Sequence, residues 1–452
     1  MEDSSNGESR GGGPVQNIKR GDLERVDVSD IEMGMFIAEL DRPWLETPFL
    51  LQGFELRDED DLENLKKYCQ HIYIPRQPEV IKDKPRARTR RGQRLLNTEN
   101  KGTLLKVSSS LTTQPQKHRI VSSDLKSKAN IIKQNERLVA VRKEHKIAKK
   151  AYSKGKTNIN QILSSARFGQ MLNTVTAEGI VSGCVDSMLQ NPDAMLWMSK
   201  MKHEDEYTAE HCLNVCVLAI AFGRHLNFSK GKLQILGLCG LLHDVGKMRT
   251  PDEILNKPSS LTDEEFDIMK GHTIEGYQLL VEEGGAPYQA IDVALNHHER
   301  PDGKGYPNGL IGKDISAYSR IIAIVDAYDA MTSNRCYSRA VSPVEAQRII
   351  FRNRGSQFDE KYALSFLQAI GPYPPGTVVE LHNGMVGIVL SGRRKIRHLP
   401  MAILVRNAEK EEIDESAVDL SLTSSGELDR GYLIRCSLKD GAFGIKLEEH
   451  TI

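Results

Sequence analysis

Neither sign of charge is in excess in this chain: 61 lysines and arginines stand against 61 aspartates and glutamates over 452 residues. A balanced composition provides no overall field to draw in nucleic acid or an anionic membrane, so neither is expected as a partner. The seven cysteines include no CxxC pair, and Cys212, Cys216 and Cys239 fall inside apolar runs of helical character. They read as small core residues in a reducing compartment. Also missing are an N-terminal apolar region for secretion and any apolar stretch of membrane-spanning length. A soluble, cytoplasmic protein without membrane insertion is the expectation.

The length suits two to four structural units. Residues 1–20 are polar, acidic and then glycine-rich, which reads as a disordered tail. Residues 21–80 turn globular, with strands expected over Met35–Leu40 and Ile72–Ile74 and a short helix over Asp60–Cys69, a small α+β unit. Residues 81–135 form a polar linker opened by the basic run Lys82–Arg91. Because no aromatic side chains interleave there for base stacking, a solvated linker is preferred over a nucleic-acid or anionic-lipid patch. Residues 136–176 read as a helical connector, with Ile159, Ile162 and Leu163 at helical offsets. Beyond residue 373, two apolar runs, Thr377–Leu381 and Met385–Leu390, flank Asn383-Gly384, a strong hairpin signal. With Ala402–Val405 and Tyr432–Cys436 they make a small β-rich unit over 374–452.

The chemistry is concentrated between His211 and Asp326. Seven potential ligands fall there: His211, His243, Asp244, His272, His297, His298 and Asp326. Each sits in or beside an apolar helical run, where an unpaired imidazole or carboxylate is costly to bury. A metal cluster would offset that cost. His211, Val215, Leu218 and Phe222 share a helix face, so the first histidine points inward with the core stripe. Leu233–Val245 is apolar nearly all round, marking an enclosed helix that ends on the His243-Asp244 couple, while Asp326 closes the apolar run Ile321–Val325. The pieces are spaced by about one helix and its connection, so packed helices could each deliver one or two ligands to a shared centre. Imidazole and carboxylate without thiolate leave iron, manganese, zinc and nickel open. Asp244 has two oxygens with which to bridge a pair of ions, an arrangement that clamps a phosphoryl group and activates water.

The motifs HDVGK (His243–Lys247) and HHERPDGKGYP (His297–Pro307) together resemble the HD-GYP family of bacterial phosphodiesterases, over about residues 177–373. The resemblance implies a multidomain protein whose all-α HD-type helical catalytic domain follows a small α+β N-terminal domain and precedes the small β-rich unit. The N-terminal unit is itself similar to an uncharacterised domain often found ahead of such catalytic domains. The activity implied is hydrolysis of cyclic di-GMP to linear pGpG and/or GMP with two divalent ions, iron or manganese. Carried over by position, His211, His243, Asp244 and Asp326 hold one ion, and Asp244, His272, His297 and His298 hold the other. His243, Asp244 and Lys247 are the implied catalytic residues, and Lys247, Arg335, Asp302, Gly303 and Tyr306 the substrate contacts.

Two positions depart from the family pattern. Tyr207 stands where members of a three-metal type carry glutamate, which favours two ions, and Ser338 stands where a basic residue is frequent, with Arg339 beside it. Glu299 and Asp329 are expected to orient histidines, and His203 and His225 to lie on the surface. Lys247 has the plainer alternative of capping helix carbonyls, and the Asp302–Pro307 loop that of a tight turn that positions the two histidines. The resemblance also gives that loop a role as a contact surface for partner proteins and allows a homodimer. Two other readings stay in view: a cyclic di-GMP receptor or scaffold with little or no turnover, and an HD nucleotidase acting on another nucleotide.

Overall fold

The computed structural model describes residues 23–37, 39–42, 54–56, 59–75, 123–201, 207–334, 340–392 and 397–450. The tail, the Lys82–Arg91 run, His203, Arg335, Ser338 and Arg339 lie outside the described residues, as does the side chain of Tyr207.

The N-terminal unit is built from β1 (Leu23–Asp27), β2 (Phe36–Ile37), β3 (Glu39–Leu40), β4 (Phe54–Glu55), α1 (Glu59–Tyr68) and β5 (His71–Pro75). Strands β1, β5 and β3 lie in that order in one antiparallel sheet, and β2 pairs with β4. The single strand expected over Met35–Leu40 is therefore two, because the chain changes partner after Ile37. Ile37, Leu40, Leu56, Leu65 and Ile72 close a small core of their own.

Helix α2 (Ser123–Arg167) runs for 45 residues, beginning inside the stretch expected to be linker. It is more than a connector. Its Ala148, Tyr152, Ile159, Ile162, Leu163 and Ala166 belong to one apolar cluster with residues of α3 (Thr174–Gln190), α4 (Pro192–Met198), α5 (Tyr207–His225) and α6 (Lys230–Leu242). The chain continues through α7 (Asp252–Leu255), α8 (Asp263–Lys270), α9 (His272–Glu283), α10 (Tyr288–Asn296), α11 (Ala317–Met331), α12 (Pro343–Arg352) and α13 (Glu360–Ile370). A second cluster joins the opposite face of α5, through Val215, Leu218 and Phe222, to α10, α11, α12 and α13. Helices α5 and α6 are thus apolar on nearly every side because both clusters need them. No helix among the described residues is long and apolar enough to cross a membrane.

The C-terminal unit is a five-stranded antiparallel sheet of β6 (Val378–Leu381), β7 (Val386–Ser391), β8 (Met401–Arg406), β9 (Glu412–Asp419) and β10 (Ile434–Ser437), in the order β10-β6-β7-β8-β9. The Asn383-Gly384 turn joins β6 to β7 as its residues predict. Alternate residues of β7 and β8 serve two faces: Val386, Ile388 and Ile403 join the cluster of α2, while Val389, Ala402 and Leu404 face a separate apolar layer.

Candidate metal centre

Five elements deliver the seven expected ligands. His211 lies in the second turn of α5, on the same buried side as the rest of that helix. His243 caps the C-terminus of α6 and Asp244 follows it. His272 opens α9, His297 caps the end of α10 with His298 next to it, and Asp326 projects from α11. Asp326 is not at a helix end as its apolar run suggested, since α11 continues to Met331. One close approach fixes the relation of the first pair to His272. A Cβ on Gly246 would stand 2.0 Å from the His272 carbonyl oxygen and 2.4 Å from the Gly276 nitrogen, so only glycine lets that turn meet α9.

The ligand atoms fall into two groups. Those of Asp244, His272, His297 and His298 lie within 4.8 Å of one another, and so do those of His211, His243 and Asp326. Asp244 faces both. Its Oδ2 is 3.5 Å from His211 Nε2 and 3.2 Å from His243 Nε2, and its Oδ1 is 3.4 Å from His272 Nε2 and 3.6 Å from His297 Nε2. Asp326 Oδ1 approaches His211 Nε2 at 3.1 Å.

Four of the histidines are held from behind. The Nδ1 of His211 lies 2.8 Å from Asp329 Oδ2, that of His243 2.8 Å from the Gly240 carbonyl, that of His272 2.7 Å from the Met269 carbonyl and that of His297 2.9 Å from the Val293 carbonyl. For His243, His272 and His297 the carbonyl acceptor assigns the proton to Nδ1 and turns the Nε2 lone pair into the cluster, whereas His211 has carboxylate oxygens at both nitrogens. The cluster is consequently a convergence of lone pairs, with His272 Nε2 only 3.4 Å from His297 Nε2. His243 Nε2 and Asp244 Oδ1 are buried without a hydrogen-bond partner among the described residues. Acceptors facing acceptors in a buried space call for cations, so the residues fit a divalent-metal site.

Without a metal the electrostatics draw a proton onto His211, which a bound cation would displace, and leave the other shifted ligands in metal-binding form. Burial opposes charge on His211, but the carboxylates of Asp244, Asp326 and Asp329 outweigh it and lift the imidazole to about 10. Burial would likewise raise the Asp244 carboxyl, yet His243, Lys247 and the imidazole hydrogen bonds hold it well below the usual range. His272 is pushed down to about 3, mainly by burial, and His298 is lowered for the same reason, helped by its neighbouring histidines. Neutral imidazoles and ionised carboxylates are the forms that ligate metals.

Residues 193–362 match the family described as HD domain, and residues 23–177 match a domain of unknown function, DUF3391. Over 411 residues the chain is 32% identical to the cyclic di-GMP phosphodiesterase PA4108 of Pseudomonas aeruginosa, covering 90% of this chain and 91% of that protein. The chain belongs to the HD-GYP family. Shorter matches join this HD-GYP chain to a cyclic di-GMP phosphodiesterase of Thermotoga maritima, 33% identical over 46% of this chain and 56% of that protein. A 3'3'-cGAMP-specific phosphodiesterase of Vibrio cholerae is 36% identical over 35% of this chain and 36% of that one. Among solved structures, an HDG"Y"P protein from Bdellovibrio bacteriovorus aligns with a TM-score of 0.42 and 16% identity over 76% of this chain and 98% of that chain.

The signature loop of this HD-GYP protein is folded back on its histidines. Tyr306 N donates to the His298 carbonyl at 3.3 Å, and a Cβ on Gly305 would fall 2.4 Å from the Arg300 nitrogen. The Tyr306 ring packs on His298 with centroids 4.7 Å apart. Glu299 was expected to orient a histidine. Instead its two oxygens accept from the backbone nitrogens of Asn308 (2.6 Å) and Leu310 (2.9 Å), so it fixes the loop. Asp302 is engaged inside the loop as well, accepting from Arg300 Nε and Nη2 at 3.0 and 2.7 Å and from Lys304 N at 3.1 Å, while Gly303 takes a positive φ of 76°. Lys247 Nζ is 2.5 Å from Asp244 Oδ2. His225 is half-buried at the end of α5, and burial lowers its pKa.

Sequence reading missed the contacts behind the cluster that come from α2. Tyr152 donates its hydroxyl to Asn214 Oδ1 at 2.6 Å, and Lys156 Nζ meets Glu210 Oε1 at 2.5 Å. These partners are 62 and 54 residues apart, and only the packing of α2 on α5 reveals them. The backbone carbonyls behind His243, His272 and His297 were equally invisible, since an acceptor common to every residue leaves no trace in the residue type.

Proposed function

We propose that the protein is a metal-dependent phosphodiesterase that hydrolyses cyclic di-GMP to linear pGpG and/or GMP, using two divalent ions, iron or manganese. The observation that carries this reading is the placement of Asp244, which presents one carboxylate oxygen to each of two ligand groups. His211, His243 and Asp326 would complete one site, and His272, His297 and His298 the other. Ions bound there supply Lewis acidity toward a phosphoryl oxygen and a nucleophile from water at neutral pH. Hydrolysis then joins the water oxygen to phosphorus and releases the ribose 3'-oxygen with a proton.

The chain's own residues supply the rest. The two groups flank one carboxylate, so the reacting phosphate is positioned over Asp244. Lys247, paired with Asp244 at the same edge, brings a mobile ammonium to a phosphate oxygen. The Tyr306 ring packs on His298 beside this edge. The names of the relatives support cyclic di-GMP as the substrate, because the relative that spans nearly the whole chain acts on it.

Incubating manganese- or iron-loaded protein with cyclic di-GMP tests the reading: linear product is expected from the parent, and Asp244→Asn is expected to lose at least a thousandfold in rate together with bound metal. Binding of the cyclic dinucleotide by the parent without product would return the receptor reading instead.

A further inference from the structure

Helix α8 carries none of the core; not one of its residues is buried. It is nevertheless firmly capped. Thr262 Oγ1 accepts from Glu265 N at 3.3 Å, Glu265 Oε2 accepts from Thr262 N at 2.8 Å, and Lys257 Nζ pairs with the same carboxylate at 2.5 Å. What this rigid turn displays is Phe266, 45% exposed. An exposed phenylalanine taken alone means little. Here it stands at the end of a row of rings that starts in the candidate metal centre. The His298 ring lies 4.7 Å from that of Tyr306, and the Tyr306 ring lies 6.3 Å from that of Phe266, edge to face at 81°. Phe266 is thus the solvent end of a row whose inner end is a candidate ligand.

We propose that Phe266 is a stacking platform for one purine base of the cyclic dinucleotide, a specificity-determining contact that rests on the phosphodiesterase reading above. In a nucleotide one ribose separates the base from its phosphate, so a base can extend outward along this row of rings from a phosphate held at the ligand cluster. Lys270 follows one turn later, with its Nζ 4.7 Å from the Phe266 centroid and paired to Asp267 Oδ1 at 2.7 Å. Because every base has a π face, this platform favours dinucleotides over simple phosphodiesters without choosing guanine over adenine.

Steady-state kinetics of Phe266→Ala and Phe266→Trp on cyclic di-GMP, with the emission of the introduced tryptophan followed during titration, test the proposal. The alanine variant is expected to raise KM about tenfold or more with kcat within about threefold of the parent. The tryptophan variant is expected to keep the parental KM, and its added emission to be quenched by cyclic di-GMP. An unchanged KM in Phe266→Ala, or emission in Phe266→Trp that ignores the dinucleotide, would overturn the platform while leaving the hydrolase reading intact. A parent that forms no linear product would remove both.

Discussion

Asp329 accepts from His211 behind the cluster, and it is the only carboxylate among the described residues that holds one of the candidate ligand histidines at Nδ1. Removing such a partner frees the ring to rotate and lowers its basicity, which typically costs ten- to a hundredfold in metal affinity. Asp329→Ala is therefore expected to keep the fold and to lose metal during dialysis against a weak chelator that leaves the parent loaded. A second residue-scale expectation concerns His145, which is 2% exposed and packed 5.2 Å from the Trp197 ring. Burial pushes its pKa down from 6.5 to about 4. Between those values the unfolded chain binds the proton and the folded one does not, so stability is intact above pH 6.5 and falls as pH drops toward 4. Thermal melts across that window should show the decline, and His145→Phe should flatten it. At this scale the candidate ligands could be picked out because histidine and aspartate inside apolar runs are conspicuous. Glu299 was misjudged because a buried carboxylate beside two histidines looks the same in sequence whether it faces a ring or a loop.

Among the elements, α5, α6, α10 and α11 could be read from their apolar residues, whereas α9 was expected only from the spacing of its histidine. The site they form depends on close approaches that periodicity does not carry. Gly246 is the clearest, since any side chain there meets the first turn of α9. Gly246→Ala is expected to cost about 1–3 kcal/mol or more through overpacking and to displace His272, seen as a lower urea midpoint together with loss of about half the bound metal. Strand β9 escaped notice because its outward residues Glu412, Asp414, Glu415 and Ser416 leave it no apolar run. The hairpin of β6 and β7 was plain, because Asn383-Gly384 specifies its own turn. Of α2, residues 136–167 were read as helix and 123–135 as linker, because its apolar residues that meet the core lie toward its C-terminal end.

At the scale of the whole molecule, sequence families and packing divide the chain differently. The N-terminal family match extends to residue 177, yet α2 contributes Tyr152, Ile159, Ile162 and Leu163 to the core shared with α5 and α6. A chain starting at Ala177 is accordingly expected to lose cooperative unfolding, whereas one starting at Ser123 should retain it; calorimetry of the two fragments decides the matter. The boundary was hard to see because α2 is charged along much of its length, and a polar helix reads as connector until its partners are known.

Lys156 and Tyr152 grip α5 one residue before and three residues after His211. The stretch of backbone that presents this candidate ligand is therefore clamped from α2, and loosening that clamp would loosen the imidazole with it.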